Sequence, residues 1–271
     1  MIIDNDTQRD VMRVAHLMAD AARPLILRYF RNPEIQTMNK PGHASGFDPV
    51  TEADRGAETV MRAILATERP DDGIIGEEHG NQSGSTGITW VLDPIDGTRG
   101  FISGTPTWGV LIAASTVEGP QFGIIDQPYI GERFVGGFDA AALDGPHGTL
   151  PFVTRQTTDL SQAIVMSTFP EVGTPQERAA FHAVADQAKL TRYGTDCYAY
   201  GLLALGQIDL VIEAGLQAYD IHAPIAVVQA SGGVVTDWSG GPAHTSSRII
   251  AASNPEIHAA ALAVLQANCD D

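Results

Sequence analysis

Cysteine is nearly absent from this chain: 271 residues hold only Cys197 and Cys269, far apart and without metal-ligand spacing. Both are therefore expected as reduced thiols, and Cys197 reads as small packing filler. Basic residues are few as well. The chain has 16 Lys and Arg against 33 Asp and Glu, a formal net charge of −17. With no Lys/Arg run, it lacks the electrostatic footprint for a nucleic-acid backbone, so no nucleic-acid partner is expected. No segment approaches a membrane-spanning apolar run, so no membrane partner is expected either. The opening Met1-Ile2-Ile3-Asp4-Asn5-Asp6 has neither a basic region nor an apolar core. That predicts no signal peptide and a cytoplasmic protein. No Walker-type loop and no G-x-G-x-x-G in a strand-to-helix context is present, and Gly232-Gly233 and Gly240-Gly241-Pro242 are turn signals around strands.

What is present is a set of acids in informative places. Hydrophobic residues make up 44%, enough for one large or two modest domains. The acidic surface favours solubility but repels anions, so an anionic substrate needs a local positive field. After the apolar run Trp90-Val91-Leu92, which reads as a buried strand, comes Asp93-Pro94-Ile95-Asp96-Gly97-Thr98. Asp-Pro and Asp-Gly are ordinary turn signals by themselves. Here two carboxylates emerge where a strand ends, and the Gly-Thr pair that follows has backbone N–H groups to offer an anion. Carboxylates bind hard cations such as Mg²⁺, and exposed N–H groups bind phosphate. Metal-assisted phosphoryl chemistry joins the two.

Three further acidic segments stand at element ends. Gly73-Ile74-Ile75-Gly76-Glu77-Glu78 is a short strand ending in two acids. Asp48 to Asp54 enters a helix whose apolar positions Ala57, Val60, Met61, Ile64 and Leu65 have helical spacing; Thr51 with Asp54 fits a capping box. Asp220 precedes the apolar run Ile221–Ala230 and is a plain N-cap candidate.

Periodicity places the other elements. Val11, Val14, Ala15, Met18, Ala22, Leu25 and Ile26 make an amphipathic first helix, with Pro24 expected to kink it. Strands at Val110–Ser115, Phe122–Ile125 and Arg133–Gly137 are spaced as an antiparallel meander. The turn-rich Asp144-Gly145-Pro146-His147-Gly148 then marks a change of pattern. Beyond it strands (Ala163–Ser167, Leu190–Tyr193, Leu210–Glu213, Val234–Thr236, Ile249–Ala252) alternate with helices (Pro175–Lys189, Cys197–Leu205, Ile221–Ala230, Pro255–Gln266). The fold class is α/β, with an α+β first half over residues 1–150 and an α/β second half over 151–271. Asn39–Phe47, with His43, reads as a mobile loop able to close over a metal site.

In order and context, Glu77-Glu78, Asp93 to Thr98 and the Asp220 segment resemble the signatures of inositol-monophosphatase-like phosphatases, which are Mg²⁺-dependent, lithium-sensitive phosphomonoesterases. The resemblance spans nearly the whole chain, through Gly232-Gly233-Val234-Val235-Thr236-Asp237 to Ile249–Asn254. It implies a layered αβαβα sandwich of the inositol monophosphatase/fructose-1,6-bisphosphatase type, and a homodimer. It also implies two or three Mg²⁺ ions per site. Glu77, Asp93 and the Ile95 carbonyl would hold the first, and Asp93, Asp96 and Asp220 the second. Glu77 would reach a weaker third, Thr98 and Asp54 would orient or activate the attacking water, and the Gly97 and Thr98 N–H groups would bind phosphate.

Three later stretches look like the histidinol-phosphate phosphatase branch of that family: Arg99 to Gly109, Arg192 to Tyr200, and Glu213-Ala214-Gly215-Leu216. Inositol phosphatases have a small residue where Asp196 stands. The resemblance makes the substrate a small phosphorylated metabolite, L-histidinol phosphate, in histidine biosynthesis. Asp196 and Glu213 can offer charge to its ammonium, and Trp108 an aromatic face to its imidazole. Against these stand Asp196 as an N-cap of Cys197–Leu205 and Trp108 as plain core. Arg99 is placed at the substrate rim, and His222 as structural or a rim contact. The alternatives are an inositol-1-phosphate or broad sugar/polyol monophosphatase, and a regulatory binding protein on the same fold.

Overall fold

The computed structural model describes residues 3–33, 37–39 and 49–269. The loop expected at Asn39–Phe47 lies outside them from residue 40 onward, and His43 with it. A short ribbon pairs β1 (Thr37–Asn39) antiparallel with β2 (Pro49–Thr51).

The larger sheet comprises β3 (Gly73–Gly76), β4 (Gly80–Gln82), β5 (Thr89–Asp96), β6 (Gly109–Thr116), β7 (Gly119–Gln127), β8 (Glu132–Gly137), β9 (Ala140–Gly145) and β10 (Gly148–Pro151). Its order is β10-β9-β8-β7-β6-β5-β3-β4, and only β3 with β5 is parallel. The expected meander is present and continues one hairpin further. The turn-rich Asp144–Gly148 is the tip of the β9–β10 hairpin, whose β10 is exposed throughout and so carries no hydrophobic alternation to read.

The smaller sheet holds β11 (Ile164–Ser167), β12 (Leu190–Tyr193), β13 (Leu210–Ala214), β14 (Val234–Thr236) and β15 (Arg248–Ala252) in the order β12-β11-β13-β15-β14. It is parallel through β12, β11 and β13, and antiparallel beyond.

Helices α1 (Asn5–Leu27) and α2 (Glu52–Glu68) cover the outer face of the larger sheet. Pro24 lies inside α1, near its end. The short α3 (Thr98–Ser103) follows β5; α4 (Pro175–Ala185) and α7 (Pro255–Asn268) pair on the outer face of the smaller sheet. Between the sheets lie α5 (Tyr198–Ala204) and α6 (Ala218–Ala230). Every residue of α6 from Ile221 to Val228 is buried, which is what a helix apolar on all sides requires. The order α1/α2, sheet, α5/α6, sheet, α4/α7 is the αβαβα sandwich. Among the described residues no helix is long and apolar enough to cross a membrane.

Candidate active site

A regular strand sends residues three apart to opposite faces, so Asp93 and Asp96 should diverge. They do not, because β5 carries an irregularity between them. Asp93 pairs with Leu111 and Asp96 with Gly109, so β5 holds one residue more than β6 across this interval. Asp220 joins them from the third helical position of α6. The three carboxylates offer oxygens that all lie within 4.8 Å of one another. Asp220 is not an N-cap, as the sequence allowed; Gln217 is the cap residue, and its N–H donates to Asp220 Oδ2 at 2.7 Å. Asp96 Oδ2 accepts the Cys197 N–H at 2.6 Å, and Asp93 Oδ1 accepts the Ile95 N–H at 3.0 Å.

Glu77 reaches the cluster through strand register. Gly76 pairs with Leu92 in parallel, so Glu77 falls beside Asp93, and its N–H donates to Leu92 O at 3.2 Å. Its carboxylate is close enough for its charge to push the Asp93 carboxyl upward. Asp54 comes from the first turn of α2, where the expected capping box is present: its Oδ2 accepts the Thr51 N–H at 2.9 Å and hydroxyl at 2.5 Å. Its other oxygen, Oδ1, is buried without a hydrogen-bond partner. The cap and the functional reading are therefore compatible in one side chain.

Burial is the main force on these acids. It pushes Asp93 and Asp96 well above the usual carboxylate range, helped by Glu77 for Asp93 and by Asp196 and Asp220 for Asp96. Asp220 is raised to about 7 by burial, against the Gln217 N–H bond, with the Glu77 and Glu213 charges adding. Asp54 is raised to about 7 by burial, against its Thr51 bonds. So many buried carboxylates cannot all ionise without a cation among them. With the orphaned Asp54 oxygen, an all-oxygen donor set fits a hard divalent ion.

Gly97, at φ +83, caps α3, and Thr98 opens it; as the first residue of a helix, Thr98 has an N–H without an intrahelical partner. The Thr98 hydroxyl donates to Ile95 O at 3.1 Å. From here a cavity of about 490 Å³ runs past Arg99, Asp196 and Glu213 between the two sheets' strand ends.

The cavity corrects two expectations. Trp108 does not line it; the ring is fully buried, 5.1 Å from Phe30 and 5.0 Å from Phe101 between centroids. It packs under α3 as core. Nor does Asp196 cap α5, whose N-cap is Cys197 without a side-chain bond. Asp196 has φ +44 and lies over Gly97, accepting the Thr107 hydroxyl at 3.3 Å. Burial and Glu213 raise its carboxyl to about 6, while Thr107 and Arg99 pull it down. Glu213 lines the cavity but is held on both oxygens, by Thr168 N–H and hydroxyl on one and Tyr200 hydroxyl on the other. His222 is structural: its ring is bound between the Ser115 hydroxyl and His244 O.

The sequence reading missed Phe169 and Glu171, which line the cavity from the loop after β11. The Arg99 guanidinium sits 4.9 Å from the Phe169 ring centroid. A signal existed, since ligands of α/β sheets gather beyond the carboxyl ends of strands.

The model of the inositol monophosphatase family matches residues 7–269. A bifunctional phosphatase, IMPL2, chloroplastic, of Arabidopsis thaliana is 38% identical over 97% of this chain and 77% of its own. A histidinol-phosphatase of Streptomyces coelicolor is 32% identical over 92% of this chain and 94% of its own. The solved structure of an inositol monophosphatase from Zymomonas mobilis superposes with TM-score 0.83 at 39% identity, over 95% of this chain and 98% of that one. With an acid cluster at the end of β5, the start of α3 beside it and a match over almost every residue, the chain belongs to the inositol monophosphatase family.

Proposed function

We propose that the protein is a Mg²⁺-dependent phosphomonoester hydrolase that converts L-histidinol phosphate and water to L-histidinol and phosphate. The observation that carries this reading is the cavity's polarity. Asp96 and Asp220 of the acid cluster line it beside Gly97 and Thr98, and Asp196, Glu213, Glu171 and the Phe169 ring line the same cavity.

Glu77, Asp93, the Ile95 carbonyl, Asp96 and Asp220 are the groups that would hold two or three Mg²⁺ ions. When bound, divalent ions lower the pKa of water and neutralise charge on a phosphoryl group. The chain's own residues supply the rest. The Gly97 and Thr98 N–H groups hold phosphate oxygens, and the glycine lets the backbone approach them closely. The Thr98 hydroxyl donates its hydrogen bond to Ile95 O, so its lone pairs are left as acceptors for a water. Asp54, whose Oδ1 is buried without a hydrogen-bond partner, is the carboxylate that would accept a proton from that water.

Beside Gly97, Asp196 is the better partner for an ammonium, since its oxygens receive one long bond while those of Glu213 are engaged. Phe169, which also carries the Arg99 guanidinium 4.9 Å from its ring centroid, and not Trp108, is the aromatic that lines the cavity for an imidazole. The test is phosphate release with Mg²⁺, comparing kcat/KM for L-histidinol phosphate and inositol 1-phosphate. A preference of about a hundredfold, roughly 2.7 kcal/mol of transition-state binding, is expected. Near-equal or reversed values overturn the substrate and leave a polyol monophosphatase.

A further inference from the structure

Glu58 lies on α2 one turn after Asp54, and positions four apart share a helix face. The sequence reading gave it no role. Its side chain is fully buried and paired with Arg62, whose Nε donates to Oε1 at 2.7 Å. The pair is not confined to its helix. Glu58 Oε2 accepts the Glu78 N–H at 2.7 Å, and Oε1 accepts the His79 N–H at 3.2 Å. Arg62 also donates to the Gly80 carbonyl.

These are the backbone groups of the turn that follows β3 and carries Glu77 into the acid cluster. Carboxylate bonds to N–H groups are among the stronger hydrogen bonds, and here they act away from water. The approach is close enough to dictate the neighbouring residue. A Cβ on Gly76 would come 2.1 Å from Glu58 Oε1 and 2.5 Å from Arg62 Nη2. One face of α2 thus addresses the site twice, with Asp54 directly and with Glu58 through the turn.

We propose that Glu58 is a positioning residue: its carboxylate fixes the turn that presents Glu77, and divalent-ion affinity depends on it. The proposal rests on the reading of Glu77 as a metal ligand. A purely structural ion pair would change stability and leave ion affinity per folded molecule alone. Partners behind metal ligands typically change affinity by about ten- to a hundredfold.

The experiment titrates Mn²⁺, as a paramagnetic substitute for Mg²⁺, into the full chain by electron paramagnetic resonance. It compares wild type, Glu58→Gln and Glu77→Gln, and follows amide exchange of Glu78 and His79 in the metal-free protein. Glu58→Gln keeps the shape but removes the charge and one acceptor. The expected result is about tenfold weaker Mn²⁺ binding, faster exchange at both amides, and recovery of kcat at saturating Mg²⁺. Mn²⁺ affinity within about twofold of wild type, well short of the expected loss, overturns the proposal. If Glu77→Gln binds Mn²⁺ as wild type does, the ligand assignment falls and the proposal with it; if Glu77→Gln weakens binding and Glu58→Gln does not, the proposal alone falls. Should Glu58→Gln not fold, Gly76→Ala carries the same comparison, because it keeps the carboxylate and forces it aside.

Discussion

The Asp196 carboxylate lies directly over Gly97, so close that a Cβ built on the glycine would sit 2.7 Å from Asp196 Cγ. The acid proposed to meet the substrate and the turn proposed to bind phosphate, far apart in the chain, share one packing contact. Gly97→Ala meets both this contact and a φ of +83 that side chains rarely adopt. Displacing the turn by even an ångström should lower kcat/KM by about a hundredfold, for every phosphomonoester alike. Steady-state kinetics on two substrates check this.

Asp196→Ala should behave differently. A charge-assisted hydrogen bond to an ammonium is worth about 1.5–3 kcal/mol, roughly ten- to a hundredfold. That loss should fall on L-histidinol phosphate and spare inositol 1-phosphate. Equal losses on both substrates would make Asp196 a support for the Gly97 turn and nothing more.

Phe169 tests the aromatic wall. Cation–π and ring contacts at partly exposed sites are worth about 0.5–2 kcal/mol. Phe169→Leu keeps the apolar bulk and removes the π face, so kcat/KM for histidinol phosphate should drop by about two- to thirtyfold. The inositol phosphate value should hold. A change shared by both substrates would reduce the ring to a rim filler.

Trp108 is the counterpart. Trp108→Ala should cost ~3–5 kcal/mol of stability, read as a lower denaturant midpoint, because a large buried ring leaves a cavity. Trp108→Phe, which keeps an aromatic in the Phe30–Phe101 cluster, should leave the ratio of the two kcat/KM values unchanged. A shifted ratio would return Trp108 to the substrate.

The acid cluster sets the pH response of the metal-free protein. Asp220 and Asp54 are raised to about 7 by burial, and each returns to its ordinary 3.8 when unfolded. Between those values the folded state holds protons that the unfolded chain has released, so stability falls as pH rises through the window. The metal-free Tm should therefore be higher near about pH 5.5 than near about pH 8, as far as these groups decide it. Mg²⁺ requires ionised carboxylates, so its stabilising effect should grow with pH. Scanning fluorimetry with and without Mg²⁺ reads both trends, and a Mg²⁺ effect largest at low pH would contradict them.

Much of the scaffold was legible because its signals are local. The 3.6 spacing of α1, the Thr51–Asp54 box, the meander from β6 to β8 and the alternation after Ala163 depend on neighbours within a few residues. Boundaries were less so. Helix α4 ends at Ala185 rather than Lys189, since the Lys189 N–H is taken by Ala163 O as the chain turns into β12. Glu58 gave no signal, since a Glu on a helix is usually solvated; only the turn packed against α2 makes it an acceptor of backbone N–H groups.

By itself the chain determined the long helices, the buried strands and that four acidic segments stand at element ends, though not β1, β2, β4, β9, β10 or α3, because periodicity, capping and turn chemistry are properties of short stretches. Only the tertiary structure decided which of those side chains meet. The irregularity in β5 turns Asp93 and Asp96 the same way, and stacking α6 between two sheets delivers Asp220 to them. Trp108 and Phe169 are both aromatic in sequence, yet layer packing buries the first and leaves the second at the cavity. Burial and distance between remote residues come from how layers stack, and no local pattern encodes that.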